Sequence, residues 1–506
     1  MTRRGRRRRD ATAVAAAAPQ QQARNTFRPV ELISADEVER IHEASLRVLS
    51  EIGMNFLLPE AVQILLEAGA SSDDGVRVRF DPEMVVEQVA LAPSTFTLHA
   101  RDPANSVVFG DDWVVFGMVG SPPNVSDLDR GRVSGNYADF CNMLRLQQAL
   151  DAADACTGHS VEPIDLEVRT RHLDAVSAMY TLSTKPGFCY SLGRTRVSDA
   201  IEIARIARGI DHETLLREPS IHTVVNANSP LVYDRPMLEG AIELARHGQP
   251  VVYTPFTLAG AMAPVTIAGA LTLQNAEALA GITLAQLVNP GVPVVYGSFT
   301  SNVDMRSGAP AFGTPEYVKA TIISGQLARR YGLPLRASNA NASNAPDAQA
   351  TYESQMSLWA CIVGGINYVL HGLGWIEGGL CASYEKVIID AEMIQMIRAM
   401  LQPTRIDDAS LAFDAIAEVG PANHFFGAAH TLERYDSAFY EPTLSDWRNF
   451  ETWYEDGALD ATQRANGIWK QLLADYEEPP MDDAIRAELT DFVERRRAEG
   501  GVEPLS

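Results

Sequence analysis

Apolar residues occur along most of this chain in two alternating patterns. Short apolar runs typical of buried strands recur seven times, and each is followed by a segment with the spacing of an amphipathic helix. The strands are predicted at 155–161, 187–193, 220–227, 250–255, 292–298, 333–339 and 367–372, and the helices at 166–183, 198–209, 236–247, 266–288, 315–331, 347–363 and 385–401. A weaker eighth strand is predicted at 423–427.

The alternation of strands and helices predicts an α/β protein built around a (β/α)8 TIM barrel. A doubly wound open sheet is the alternative, but no glycine-rich phosphate loop follows the first strand. We predict four regions: a disordered Arg- and Ala-rich tail at 1–27, an N-terminal α+β region at 28–150, a TIM-barrel catalytic domain at 151–430 and a C-terminal helical region at 431–506.

Charge and composition narrow the class of protein. The formal net charge of −23 argues against nucleic-acid binding by the body of the chain, because a phosphate-binding face is basic. The tail has six Arg within residues 3–9, so an arm for nucleic acid or a partner is the alternative to a disordered tail. The Ala-rich stretch that follows is too weakly hydrophobic for a secretory signal.

Two further features of the sequence, its cysteines and an uncharged stretch, concern the compartment in which the protein lies. The five cysteines are dispersed (Cys141, Cys156, Cys189, Cys361 and Cys381), which favours the cytoplasm and no disulfide framework. Residues 251–276 carry no charge and are long enough to span a membrane. Because Pro and Gly interrupt that stretch, we interpret it as a buried strand, a loop and a buried helix.

In such barrels the chemistry lies on the loops after the strands. Candidate site residues at these positions are His159, Asn226, Tyr253, Phe256, Tyr296, Asn339, Asn341, His371, Trp375 and Glu377. No lysine occurs between Lys319 and Lys386, and no HExxH motif is present, so we expect neither a Schiff-base lysine nor a metal site. Core packing remains an alternative for Tyr253, Trp375 and the two histidines.

Four motifs carry a resemblance to a known family. They are "GSPPNVSDLDRGRVSGNYADF" (120–140), the apolar segment 258–297, "PDAQATYES" (346–354) and "HGLGWIEGGLCASYEK" (371–386). Over about residues 30–475 the chain resembles the trimethylamine methyltransferase (MttB) superfamily. The resemblance implies a (β/α)8 enzyme that moves a methyl group from an amine to the cobalt of a separate corrinoid protein. It also implies a homo-oligomer and no permanently bound cofactor.

The loop after the sixth strand indicates a branch of that family. Archaeal members carry pyrrolysine near this loop, whereas here it contains Asn, Ala and Ser (338–344). The chain is therefore similar to the non-pyrrolysine branch, which implies a quaternary amine such as glycine betaine, proline betaine or carnitine as the donor. A quaternary ammonium is already activated for methyl transfer, so positioning and desolvation suffice.

This chemistry assigns roles to the candidates. Aromatic faces bind quaternary ammonium groups, and a betaine carboxylate needs hydrogen-bond donors. We expect His371, Asn339 and Asn341 in the catalytic centre, and substrate contacts from Tyr253, Phe256, Tyr296, Arg336, Tyr352, Trp375, Glu377, His159 and Asn226. The alternatives are trimethylamine as the donor, a folate or thiol as the acceptor, and a non-catalytic protein that binds quaternary amines.

Overall fold

The computed structural model describes residues 22–503, which form strands β1–β21 and helices α1–α18. The strands are β1 (Ala23–Arg24), β2 (Met54–Phe56), β3 (Ser71–Ser72), β4 (Arg77–Arg79), β5 (Phe96–Leu98), β6 (Val107–Phe109), β7 (Trp113–Met118), β8 (Asn124–Asp127), β9 (Gly131–Ser134), β10 (Gly187–Phe188), β11 (Ile221–Val225), β12 (Val232–Tyr233), β13 (Val251–Tyr253), β14 (Phe256–Ala259), β15 (Val294–Gly297), β16 (Phe299–Val303), β17 (Pro310–Ala311), β18 (Leu335–Ser338), β19 (Tyr368–Leu373), β20 (Trp375–Ile376) and β21 (Cys381–Ser383).

The helices are α1 (Ala35–Arg47), α2 (Pro59–Glu67), α3 (Pro82–Val89), α4 (Tyr137–Ala149), α5 (Arg171–Leu182), α6 (Arg194–Arg208), α7 (His212–Arg217), α8 (Arg235–Arg246), α9 (Ile267–Val288), α10 (Pro315–Tyr331), α11 (Ala348–Gly364), α12 (Tyr384–Leu401), α13 (Asp408–Leu411), α14 (Phe413–Val419), α15 (Ala429–Arg434), α16 (Phe450–Glu455), α17 (Ala461–Ala474) and α18 (Asp483–Ala498). A π-helix (Val48–Ile52) follows α1, and 3₁₀ turns occupy Pro103–Asn105, Glu377–Gly379 and Phe425–Gly427.

A curled eight-stranded sheet forms the centre of the molecule. Its strand order is β1-β7-β19-β18-β15-β13-β11-β10, and all neighbouring strands are parallel except β1 and β7. Such strands are nearly continuous apolar runs because both faces of the sheet are covered. Helices α5, α6, α8, α9, α10, α11 and α12 follow successive strand segments, as the sequence pattern predicts.

Residues 154–156 link two edges of this curled sheet. The Asp154 amide donates to the Phe116 carbonyl of β7 at 2.6 Å, and the Cys156 amide donates to the Pro186 carbonyl just before β10 at 3.0 Å. Ala155 also pairs in parallel with Gly117. The first predicted strand (155–161) therefore consists of this short segment, which lies between β7 and the start of β10.

Side chains on the two faces of the sheet have different neighbours. Residues that face outward pack against the helices in one large core, whereas the concave face holds a smaller apolar cluster. The β5–β6 hairpin contributes Leu98, Val107 and Phe109 to this smaller cluster. The hairpin lies near the amino ends of the strands, where the His99 amide donates to the Pro219 carbonyl at 2.7 Å. The carboxyl ends are therefore the part of the concave face left for a site.

Helices α9–α12 each begin with a side-chain cap. The oxygens of Thr266, Thr314, Asp347 and Ser383 accept a backbone N–H from the first turn. These caps satisfy amides that have no partner within the helix, and they fix where each strand-to-helix loop ends. Ser34 and Glu37 form a capping box in front of α1.

The eighth strand differs from the sequence prediction. Residues 423–427 form no strand: they include a 3₁₀ turn, and Phe426 is 81% exposed. That prediction is wrong because adjacent aromatic residues need burial on both faces to form a central strand, and here they have none. The strand beside β19 is instead β7, from the predicted N-terminal region. The boundary at residue 150 remains a prediction, and the sheet crosses it.

Three other predictions concern the tail and the uncharged stretch. Residues 1–21 of the predicted tail lie outside the described residues, while Ala23 and Arg24 at its end pair with β7. Residues 251–276 contain β13, β14 and the start of α9, in agreement with the interpretation of a strand, a loop and a helix. No helix between residues 22 and 503 combines the length and apolar character needed to cross a bilayer.

Candidate active site

Arg336 is a buried cation at the carboxyl end of the central sheet. Alternation along β18 places Leu335 and Ala337 against the helices, and Arg336 on the concave face. The Arg336 side chain is 2% exposed, its Nη1 donates to the Ser298 carbonyl at 3.2 Å, and its Nε has no partner. No carboxylate within residues 22–503 forms an ion pair with it. Burial lowers the Arg336 pKa to about 10.

His371 lies beside this arginine because β19 contains a bulge. Two extra residues of β19 separate the pairs that Val369 and Leu373 make with β7, and His371 there has a φ of 56°. A left-handed conformation is costly for a residue other than glycine and is found most often at functional sites. Its Nδ1 lies 3.1 Å from the Ser338 hydroxyl. Burial and the nearby Arg336 charge hold the His371 pKa well below its usual range, so the ring is neutral at pH 7.

Aromatic rings surround Arg336 and His371. The Trp375 ring centroid lies 4.2 Å from that of His371, and the Phe299 ring lies 5.0 Å from the Arg336 guanidinium carbon. Phe299 and Trp375 meet edge to face at 6.1 Å. Phe256 and Phe312 pack on Phe299, at 5.0 and 5.4 Å. We call Phe299, Arg336, Ser338, His371 and Trp375 the Arg336 cluster.

Asn339 and Asn341 lie in the loop that follows Ser338, and both are fully buried. The Asn339 amide nitrogen donates to the Gly372 carbonyl at 2.9 Å. The Asn341 nitrogen donates to the Trp375 carbonyl at 2.7 Å, and the Trp375 indole N–H donates back to the Asn341 carbonyl at 3.1 Å. These bonds attach the loop after β18 to the loop after β19. The side-chain oxygens of both asparagines have no hydrogen-bond partner.

His159 belongs to a second polar group, at the ends of the first two strand segments. Its Nδ1 lies 2.9 Å from a Glu162 oxygen, and the Tyr190 hydroxyl donates to the other Glu162 oxygen at 3.0 Å. Ser121 bonds to the same hydroxyl at 2.8 Å. Burial opposes ionisation of Glu162, but the bonds from His159 and Tyr190 outweigh it and lower the Glu162 pKa. We call Ser121, His159, Glu162 and Tyr190 the Glu162 cluster.

A cavity of about 450 Å³ adjoins the Glu162 cluster. It lies between the ends of these strand segments and helices α5 and α6, and its walls include Val176, Leu192 and Ala200. None of the residues that line it belongs to the Arg336 cluster. This cavity and the unpaired buried cation are therefore in different places.

Several predicted site residues lie outside both clusters. Tyr253 faces the helices, with its ring against Gly281 of α9, and the Tyr296 hydroxyl donates to Asn275 of α9 at 2.9 Å. Tyr352 is 59% exposed on α11. Glu377 forms an ion pair with Arg132 at 2.9 Å, and Asn226 is half-buried after β11. A part for these residues in substrate binding remains a prediction.

Sequence reasoning missed Phe299, Phe312 and Ser338. The alternation of strand positions could have found Phe299. Val295 faces the concave cluster, and Phe299 lies four residues later, an even spacing that keeps both side chains on the same face. The same rule would have set Tyr253 and Tyr296 aside, since their neighbours Val252 and Val295 occupy the concave face. Phe312 lies far from any strand end in the sequence, and no pattern indicates it.

The fold and the Arg336 cluster define an α/β protein with a small, aromatic-lined site that carries an unpaired positive charge. The chain belongs to the trimethylamine methyltransferase (MTTB) family, whose family model matches residues 2–501. It is 38% identical to the glycine betaine methyltransferase of Desulfitobacterium hafniense, over 93% of this chain and 98% of the relative.

Two further relatives differ in the substrate that their names give. A trimethylamine methyltransferase of Desulfitobacterium hafniense is 30% identical, over 93% of this chain and 94% of its own length. The proline betaine:corrinoid methyltransferase of Eubacterium limosum is 30% identical, over 78% of this chain and 82% of its own length. The solved monomethylamine methyltransferase of Methanosarcina barkeri has a TM-score of 0.48 and 11% identity, over 91% of this chain and 89% of that chain.

Proposed function

We propose that this chain is a methyltransferase that moves a methyl group from glycine betaine, or a closely related betaine, to the Co(I) of a corrinoid carried by a separate protein. Relatives named for glycine betaine and proline betaine support the donor class, and the name of the second supports the corrinoid acceptor. The site itself supports a betaine through one observation, which is the buried and unpaired Arg336.

Arg336 is suited to bind the carboxylate of a betaine. A guanidinium that is buried without a counter-ion is costly, and an anionic group of the ligand would remove that cost. Its Nε is a buried donor without a partner, which leaves it available for a carboxylate oxygen. Trimethylamine has no carboxylate and would leave the charge unpaired. The cluster therefore favours a betaine over trimethylamine as the donor.

The aromatic rings suit the other end of the same ligand. The Trp375 ring lies beside His371 and meets the edge of Phe299, whose own faces lie against the Arg336 guanidinium and Phe312. Each aromatic face contributes about 0.5–2 kcal/mol to binding of a quaternary ammonium. A neutral His371 adds no charge that would repel the ammonium. A carboxylate beside the ammonium would hold the ground state more tightly than the transition state, in which the positive charge on nitrogen declines.

The reaction needs little chemistry from the protein. Co(I) attacks the methyl carbon in line with the carbon–nitrogen bond, and the electron pair of that bond remains on nitrogen. The new carbon–cobalt bond takes its pair from cobalt, so no proton or further electron is required. The chain binds the donor at both ends, aligns one methyl group with the approach of cobalt, and excludes water.

The finer structural expectations belong to the same proposal. We infer that the curled sheet is a closed (β/α)8 barrel, with residues 154–156 as one strand and β7 as the eighth. The bonds from residues 154–156 to β7 and to Pro186 support closure. A corrinoid protein as partner, a homo-oligomeric assembly and the cytoplasm, where Co(I) is kept reduced, complete the proposal.

The function is tested by spectroscopy on cob(I)alamin. Purified protein is supplied with glycine betaine, proline betaine, carnitine, trimethylamine or tetramethylammonium, and loss of the Co(I) absorbance is followed. We expect turnover with at least one betaine, and a lower kcat/KM for tetramethylammonium, which is quaternary but has no carboxylate. Turnover with trimethylamine and with no betaine would contradict the proposal.

A further inference from the structure

Lys386 and Asp390 form a completely buried ion pair within α12. They are four residues apart on the same helix face, and both side chains have zero exposure. The Lys386 ammonium also donates to the Ser354 hydroxyl of α11 at 2.8 Å. The pair lies next to the loops that carry Trp375 and the two asparagines, although neither Lys386 nor Asp390 nor their partner Ser354 belongs to the Arg336 cluster.

The contacts of the pair reach both loops. The second carboxylate oxygen of Asp390 accepts the Gly374 amide at 2.8 Å, which fixes the backbone just before Trp375. Burial raises the Asp390 pKa above its usual range, and the Lys386 charge, the Gly374 amide and the Asn339 side chain each oppose that rise. The Ser354 hydroxyl accepts the Asn341 side-chain nitrogen at 3.2 Å. One ion pair thus connects the loop after β18 to the loop after β19.

These contacts determine which atom of each asparagine remains free. A side-chain amide nitrogen has two donors. Asn341 uses both, on the Ser354 hydroxyl and the Trp375 carbonyl, and Asn339 donates to the Gly372 carbonyl beside Asp390. A flipped amide would direct an oxygen at a backbone carbonyl, so the orientation is fixed chemically. Two buried amide oxygens are left without a partner.

These two buried oxygens without a hydrogen-bond partner indicate the charge of the ligand group that would lie against them. Each costs about 1–3 kcal/mol when no donor is present. An amide oxygen repels a carboxylate, but it attracts the polarised C–H groups of an N-methyl ammonium, which form weak hydrogen bonds to oxygen. Asn339 and Asn341 are thereby suited to the cationic end of a ligand, and not to its carboxylate.

We propose that Lys386 and Asp390 are positioning residues that hold Asn339 and Asn341 with their amide oxygens free, and so create a subsite for the N-methyl groups of the donor. This inference rests on the proposed function, because it takes the ligand to be a quaternary amine. The free oxygens select for positive charge, whereas Arg336 binds the opposite end of the molecule. Co(I) would reach a methyl group that these oxygens and the Trp375 ring hold in place.

A purely stabilising role is the competing explanation for the ion pair. Buried pairs are weak evidence for stability, because well-packed apolar residues of similar volume often replace them with no loss. That property allows a test in which the charges are removed together and the fold is kept. The variant is the double substitution Lys386→Met with Asp390→Leu.

The readout is discrimination between two ligands of the same shape. Calorimetry measures the binding of glycine betaine and of 3,3-dimethylbutyrate, in which a neutral tert-butyl group replaces the trimethylammonium. We expect the unmodified protein to bind glycine betaine about tenfold more tightly or better, a difference of about 1.4 kcal/mol. In the double variant this ratio should fall to about threefold or less, while affinity for 3,3-dimethylbutyrate is retained.

Two further variants complete the experiment. Ser354→Ala removes one acceptor of Asn341 and one of Lys386 but keeps the Lys386–Asp390 ion pair. It should lower the ratio about threefold, and it serves as the test if the double variant does not fold. Arg336→Met should weaken both ligands alike. An unchanged ratio in a folded double variant, or in Ser354→Ala, overturns the inference and leaves the proposed function standing. An unmodified protein that binds neither ligand contradicts the proposed function itself.

Discussion

The Arg336 cluster and the Glu162 cluster both contain a charged side chain near the carboxyl ends of strands, but only the charged group of the Glu162 cluster is bonded to other side chains. In the Glu162 cluster, His159 and Tyr190 each bond to a different oxygen of the same carboxylate. In the Arg336 cluster, the guanidinium has a single backbone acceptor and no carboxylate partner within residues 22–503. The first network is complete within the protein, whereas the second lacks a partner.

This difference matters more than the size of the nearest cavity. The cavity of about 450 Å³ adjoins the complete network, and an apolar cavity of that size is an ordinary place for a small ligand. A cavity supplies space, but an unpaired buried charge supplies a free-energy reason to bind an ion of opposite sign. We therefore propose the Arg336 cluster as the donor site, and variants of each cluster in turn test that choice.

The largest effect is expected from Arg336→Met. Loss of one partner of a buried charge pair costs about 2–5 kcal/mol in binding, so kcat/KM for glycine betaine should fall about 30-fold or more. Steady-state kinetics with cob(I)alamin measures this loss. Tetramethylammonium is the control donor, because it has no carboxylate and its kcat/KM should change far less. Equal losses for both donors would contradict a role for Arg336 in carboxylate binding.

A smaller effect is expected from Trp375→Leu. Removal of one aromatic face forfeits about 0.5–2 kcal/mol of cation–π attraction, which raises KM for glycine betaine about 3- to 30-fold. Binding of the neutral 3,3-dimethylbutyrate to the same variant is the control, and it should weaken less than that of the betaine. If the two ligands lose the same affinity, Trp375 acts only through packing.

The pH dependence of stability tests the charge state of His371 in the Arg336 cluster. Burial holds the pKa of His371 well below its usual range and lowers the pKa of His222 to about 4. As pH falls below about 6.5, the unfolded chain takes up protons that these folded histidines do not, so the free energy of unfolding decreases. Each contributes at most about 1.4 kcal/mol per pH unit.

Urea denaturation at several pH values between about 5 and 7 measures this slope. His371→Asn should make it shallower, because the variant removes one group that titrates only in the unfolded chain. A slope that is unchanged by the substitution would mean that His371 is protonated in the folded protein. A charged ring at that position would argue against a quaternary ammonium beside it.

The smallest effect on turnover is expected from Glu162→Gln. The substitution keeps the shape of the side chain but weakens its bonds to His159 and Tyr190, which lowers the free energy of unfolding by about 1–2 kcal/mol. Turnover with glycine betaine should stay within about twofold, and thermal denaturation should show the loss of stability. A loss of turnover as large as that of Arg336→Met would move the donor to the Glu162 cluster and its cavity.

The regular part of the fold was predictable from local pattern. Helices α9–α12 have bounds within one residue of those predicted, because apolar spacing and capping residues are encoded locally. The partner of β19 was not predictable: β7 is as apolar as any central strand, but nothing in an apolar run identifies its neighbour. The aromatic residues at 425–426 were mistaken for a strand because an apolar run does not show whether any neighbour covers it, and here both residues are exposed.

The candidate site, like the fold, was predictable from the sequence only in part. Strand-end position found Asn339, Asn341, His371 and Trp375, and the need of a betaine carboxylate for donors added Arg336. The structure brings these residues close together. Whether Arg336 has a counter-ion depends on every element packed around it, and the free atom of each asparagine depends on α11 and α12. These are tertiary properties, so the sequence could supply the residues of the site but not the direction in which a ligand lies.

The most direct test of the central claim compares two donors in one assay. The unmodified protein is mixed with cob(I)alamin and either glycine betaine or trimethylamine at equal concentration, and the Co(I) absorbance is followed over time. We predict methylation with glycine betaine at a rate at least about tenfold above that with trimethylamine. Methylation with trimethylamine alone would contradict the assignment of Arg336 to a donor carboxylate and with it the proposed substrate.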